Sequence, residues 1–65
     1  RLKNRVAAYL IEHGEIRNQQ EVADCMGVAR PSLARILAEL AHEGAVVFEN
    51  RQITIKDRSQ LEKYL

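Results

Sequence analysis

Between Gln19 and Ile36 the chain carries a pattern that leaves little freedom in how it folds. Val22 and Ala23 fall on one face of a short helix, Met26–Gly27–Val28 makes a corner, and Leu33, Ile36 and Leu37 share a face of a second helix. Each residue type suits its place. Ala23 is small enough to let the second helix cross closely. Gly27 can take a positive φ just past a last helical turn, where a Cβ would strain against its own backbone. The apolar residues on either side fill the angle between the two axes. The spacing predicts a helix-turn-helix whose second helix faces outward, ready to enter a groove.

The flanks extend the pattern. Leu2, Val6, Tyr9 and Leu10 fall on one face of a helix from about Leu2 to His13, which Gly14 ends. Glu15–Ile16–Arg17 reads as a short extended link. Asn18 followed three residues later by Glu21 is a variant of the capping box, opening a helix that runs to about Met26. The next helix spans about 30–43. Pro31 is tolerated in its first turn, where N–H groups lack intrahelical partners, and Gly44 closes it. Ala45–Phe48 and Gln52–Ile55 predict two strands around a turn at Glu49–Asn50–Arg51, with Asn50 tolerating a left-handed position. Asp57 with Gln60 predicts a cap for a last helix whose inner side carries Leu61, Tyr64 and Leu65. The order helix, short strand, helix-turn-helix and β-hairpin defines a mainly α fold with a small β-hairpin, a winged helix-turn-helix.

Length bounds the rest. Sixty-five residues make a single domain, 1–65. A chain of this size buries only about 60% of its unfolded surface, so its stability margin is small. One cysteine excludes an internal disulfide and fits a reducing compartment, the cytoplasm. No apolar run approaches the ~18 residues that a membrane helix needs. The chain opens on Arg1 without a signal-peptide pattern, which reads as a piece of a longer protein. Net charge is only +1. Residues 1–17 carry four basic and two acidic groups, 18–48 two and four, and 49–65 four and three. Any cationic footprint must therefore come from placement, and non-specific attraction to a polyanion is weak.

Advancing 100° per residue from Arg30 sorts the second motif helix into two faces. Leu33, Ile36, Leu37, Leu40 and Ala41 form the buried stripe; opposite lie Pro31, Ala34, Arg35, Ala38 and His42, with Arg30 and Ser32 at the N-terminal edges. Small Ala34 and Ala38 let the helix sit deep in a DNA major groove. There Arg35 can meet a guanine through a bidentate pair to O6 and N7, and Arg30 can do the same or hold a phosphate. Asn18, Gln19 and Gln20 open the first motif helix, whose free N–H groups and dipole suit a phosphate. Ser32 and the hairpin residue Arg51 are further backbone candidates. The plainer alternatives are capping for the amides and solvated surface for the arginines.

The run Glu21-Val-Ala-Asp-Cys-Met-Gly27-Val-Ala-Arg30-Pro-Ser-Leu-Ala-Arg35-Ile-Leu resembles the catabolite activator and fumarate–nitrate regulator (Crp/Fnr) family of bacterial transcription regulators. The resemblance extends to the Arg5 helix, the hairpin after Gly44 and the Ile53–Asp57 exit into a terminal helix. It implies sequence-specific binding of double-stranded DNA, with helix 30–43 in the major groove and a wing at 45–55 near the backbone. It further implies that Arg30 and Arg35 read guanines. The base-reading position between them holds Pro31, whose side chain offers only apolar contact, such as with a thymine methyl. Ala29 stands where a Ser or Thr cap is usual, and Asn50 where the wing usually has glycine. Family members carry an N-terminal effector domain and a dimerisation helix, both outside this chain. The resemblance therefore implies a homodimer through that missing region, inverted half-sites, and room for RNA polymerase as a partner of the intact regulator. The effector is not legible, and no cofactor is expected in this domain.

Other chemistry finds little support. Cys25, at the edge of an apolar face, is expected to be a small buried hydrophobe. His13 and His42 lack a Cys or His partner at ligand spacing, so no zinc site is expected. No nucleophile–base arrangement or phosphate-cradling glycine loop marks an enzyme. The rival reading is a winged helix that binds protein, or one that holds nucleic acid by its backbone alone. Near-neutral charge favours the rival; Arg30 and Arg35 on a groove-facing surface favour base reading.

Overall fold

Residues 1–65 of the computed structural model fold into α1 (Leu2–His13), β1 (Glu15–Ile16), α2 (Gln19–Met26), α3 (Arg30–His42), β2 (Val46–Glu49), β3 (Gln52–Ile55) and α4 (Arg58–Glu62). The strands form an antiparallel sheet in the order β1-β3-β2. The fold is a winged helix-turn-helix, mainly helical with a small sheet. The Glu15–Ile16 segment is more than a link: it pairs with β3, setting Ile16 opposite Ile53. The hairpin turn is also tighter than expected. Glu49 pairs with Gln52, so only Asn50 and Arg51 turn, both at positive φ (50° and 64°). Two left-handed residues in a two-residue loop give the backbone twist that matches the flanking strands.

The core is wholly apolar. Val6, Ala7 and Leu10 of α1 and Val22 and Ala23 of α2 meet Leu33, Ile36, Leu37 and Leu40 of α3; Ile16, Ala45, Val46, Ile53 and Leu61 complete it. No polar residue is buried. Ala41, expected in the α3 stripe, is half-buried at its edge. Leu65, expected on an inner side, is 70% exposed, because α4 ends at Glu62 and Leu65 lies beyond its periodicity.

The corner closes through its backbone. Gly27 has φ 71°; its N–H reaches the Asp24 carbonyl at 3.1 Å, and the Val28 N–H reaches the Ala23 carbonyl at 3.0 Å. These bonds satisfy carbonyls that the end of α2 would otherwise leave open. Arg5 of α1 adds a third, its Nη2 donating to the Met26 carbonyl at 2.8 Å. Asn18 caps the other end of α2 by accepting from the Glu21 N–H at 3.0 Å. The Glu21 carboxylate makes no return bond, so only half of the expected box forms. At α4, Asp57 caps by accepting from the Ser59 N–H at 3.1 Å, while the Gln60 side chain turns instead to Glu43 at 3.3 Å.

Gln60 thereby joins a polar clasp between the chain's first and last helices. Lys3 of α1 donates to Glu43 at 2.6 Å and Glu39 at 3.2 Å, and the Tyr64 hydroxyl donates to Glu43. Asn4 donates to the Tyr64 carbonyl at 2.6 Å. The Lys3 ammonium, and after it the Tyr64 hydroxyl, pull the Glu43 carboxyl from its ordinary 4.5 down to about 2.

Two outcomes follow from these contacts. Nothing lies within 4 Å of a Cβ built on Gly27, so its replacement is opposed only by backbone conformation. Gly27→Ala should cost about 1–2 kcal/mol in urea unfolding. Gly27→Val should cost more because it is β-branched, and Gly27→Asn should cost least. Equal stabilities would put the strain elsewhere. For the clasp, a depressed carboxylate pKa adds stability that is fully present above 4.5 and lost as pH falls through about 2. The melting temperature should drop over that window, and Glu43→Gln should flatten that part of the drop.

Candidate nucleic-acid interface

The apolar stripe of α3 fixes the helix's rotation, and so fixes what points outward. Arg30, Pro31, Ala34, Arg35, Ala38 and His42 are all exposed, and Ser32 is half-buried. Arg35 is 68% exposed at its side chain and stands 3.6 Å from the Glu39 carboxylate one turn on. The start of α3 has no side-chain cap, as Ala29 dictates. Its backbone compensates, the Ala29 carbonyl accepting from the Ser32 and Leu33 N–H groups at 3.0 and 3.2 Å.

Beside the N-terminus of α3 a cleft of about 270 Å³ opens between the start of α2 and the wing. Arg17, Arg30 and Arg51 line it from three separate segments, together with Asn18, Gln19 and Gln52. Ile16, Ile53 and Phe48 give it an apolar side, and Phe48 is 53% exposed. No carboxylate lines the cleft. Arg17 is ion-paired to Glu15, whereas Arg30 and Arg51 have no acidic partner. Two guanidinium groups without acidic partners, on a surface lined by no carboxylate, suit phosphate oxygens.

The expected backbone set is brought together only in part. Asn18, Gln19 and Arg51 share the cleft. Gln20 does not line it, and its amide donates to Asp24 one turn along at 2.9 Å. Ser32 also lies outside. Arg17 and Phe48 were not expected there. Arg17 had one partial signal: it follows buried Ile16 in an extended segment, where alternation marks it as exposed but does not assign it to the cleft. Phe48 had none beyond its place near the hairpin turn. Cys25, expected to be buried, is exposed, because the buried face of the eight-residue α2 contains only Val22 and Ala23.

The profile of the Crp-like helix-turn-helix domain family matches residues 4–64, and the chain belongs to that family. Among solved structures it is similar to a crystal structure from Eubacterium rectale described as a transcriptional regulator of the Crp/Fnr family. The two share 30% identity at a TM-score of 0.88, over 98% of this chain and 33% of the other. The chain thus spans about a third of the length of that protein. A comparison with curated proteins gives no significant match. No helix is long and apolar enough to cross a membrane.

The wing tip holds one measurable oddity. Arg51 occupies a left-handed position at φ 64°, where glycine is the less strained residue. Arg51→Gly should therefore raise stability by up to about 1 kcal/mol. Thermal and urea unfolding would show it. A clear loss of stability would mean that the arginine makes folded-state contacts that outweigh the strain.

Proposed function

We propose that this chain binds double-stranded DNA in a sequence-dependent manner, with α3 in the major groove and the β2–β3 wing on the flanking backbone. The observation that carries the reading is the convergence of Arg17, Arg30 and Arg51 in one acid-free cleft beside the exposed face of α3. With net charge near zero, binding depends on this local placement rather than on bulk attraction. In this reading Arg35 takes a guanine, and Pro31 and Ala34 offer apolar contact to a thymine methyl. Arg30, at the junction of helix and cleft, serves either a guanine or a phosphate. Asn18, Gln19, Arg17 and Arg51 hold the backbone, with Ser32 and Gln20 on its margins, Gln20 by giving up Asp24. The strained φ of Arg51 supports its assignment: a turn alone would be better served by glycine, so the guanidinium supplies something else.

The match to the Crp-like helix-turn-helix family, and the chain's span of a third of the related structure, support reading it as the DNA-binding domain of a longer, cytoplasmic regulator. Such a regulator would dimerise outside this domain and bind inverted half-sites about one helical turn apart. Its effector domain, and RNA polymerase as a partner, belong to that larger protein.

The test uses a duplex selected from a randomised pool by the chain itself, with a scrambled duplex beside it across a salt series. Arg35→Ala should cost about 1–3 kcal/mol on the selected duplex and relax preference at one base pair. Arg51→Ala should weaken both duplexes alike and reduce the salt slope by about one. Equal losses from Arg35→Ala on both duplexes would leave that residue a backbone anchor. Failure to enrich any duplex would favour the rival that near-neutral charge supports, a winged helix that binds protein or holds nucleic acid by its backbone alone.

A further inference from the structure

Glu39 is the one acidic residue of α3, and it sits one turn behind Arg35. Its two oxygens are divided between two cations. Oε1 accepts from Lys3 at 3.2 Å, and Oε2 lies 3.6 Å from Nη1 of Arg35. Lys3 is itself held by Glu43 at 2.6 Å and stands 4.8 Å over the Tyr64 ring. A chain of contacts therefore runs from the clasp at α1 and α4 out to a side chain on the exposed face of α3. Arg35 has no other charged partner.

We propose that Glu39, anchored by Lys3, is the positioning residue of Arg35, restricting its guanidinium for base recognition. The inference rests on the DNA-binding reading above. An acid beside a groove-facing arginine has two opposed effects. It repels phosphates, and it narrows the range of conformations that a long side chain must give up on binding. The ammonium of Lys3, shared with Glu43, offsets part of the first effect. The second remains. With Nη1 turned to Glu39, the Nε–Nη2 edge keeps two N–H donors, the number that a bidentate pair to guanine requires. Glu39 thus acts on specificity without touching the base.

The experiment measures affinity for the selected duplex and for its variant at the base pair that Arg35 reads. Glu39→Ala should lower the ratio of the two affinities about 2- to 10-fold, the range that one freed side chain supplies. In an Arg35→Ala background the same substitution should leave the ratio unchanged. Glu62→Ala, which removes an acid from α4, should raise both affinities alike and keep the ratio. In the free chain, ¹⁵N relaxation at Arg35 Nε should show a more mobile guanidinium in Glu39→Ala. An unchanged ratio with both affinities raised would make Glu39 a bulk charge and overturn the proposal. So would a fall that persists without Arg35, or unaltered Arg35 mobility. If Arg35→Ala alone leaves the ratio intact, base reading by Arg35 fails and the positioning role fails with it. If Arg35→Ala relaxes the ratio and Glu39→Ala does not, only the positioning role is lost.

Discussion

Four side chains on one face of α3 hold the rest of the molecule in place. Leu33, Leu37 and Leu40 are fully buried and Ile36 nearly so, and α1, α2 and β2 all pack against the helix that carries them. Burying each such side chain stabilises by about 1.5–3 kcal/mol, whereas an N-cap contributes about 1. That difference explains how α3 can begin at Ala29 with no side-chain cap and still be thirteen residues long. It also links core and surface. A helix whose apolar stripe is seated cannot rotate, so the outward direction of Arg30, Ala34 and Arg35 is a consequence of where the leucines went.

The same logic explains what could be read from residue order. The four helices were legible because their apolar spacing or caps repeat a local rule, and Gly27 and Gly44 mark endings that local geometry requires. What escaped depends on residues far apart in the chain. A two-residue strand has no periodicity, so the pairing of Ile16 with Ile53 emerges only once the hairpin has folded back. The bond from Lys3 to Glu43 joins positions 40 residues apart, and that from Tyr64 to Glu43 joins positions 21 apart. Cys25 and Leu65 failed for another reason. Both sit on or beyond short helices, where a wheel drawn from sequence assigns a face wider or longer than the core can cover.

For the candidate interface the division falls in the same place. The exposed face of α3 follows from one helix and was legible from its wheel. The cleft follows from three segments, and so Arg17 and Phe48 joined it only in three dimensions. Two local signals were available but went unread. Gln20 with Asp24, and Arg35 with Glu39, are spaced to meet one helical turn apart, and both do. Each pairing changes what a surface residue is free to do, so exposure alone was an incomplete guide.

The placement of β3 between β1 and β2 has a mechanical meaning. A hairpin tied to its domain along one strand could swing, and its tip could follow whatever lay beneath it. Here the inner strand is bonded on both edges, so the wing and the segment leading into α2 are joined in one hydrogen-bonded sheet. Arg17 and Arg51 both extend from that frame, so the span between their backbones is set by the sheet. If that span rests on a duplex, the duplex must adjust its groove to meet it. The energy of that adjustment varies with base-step stiffness. On DNA such a frame would act as a caliper, favouring some sequences over others at base pairs that no side chain reaches.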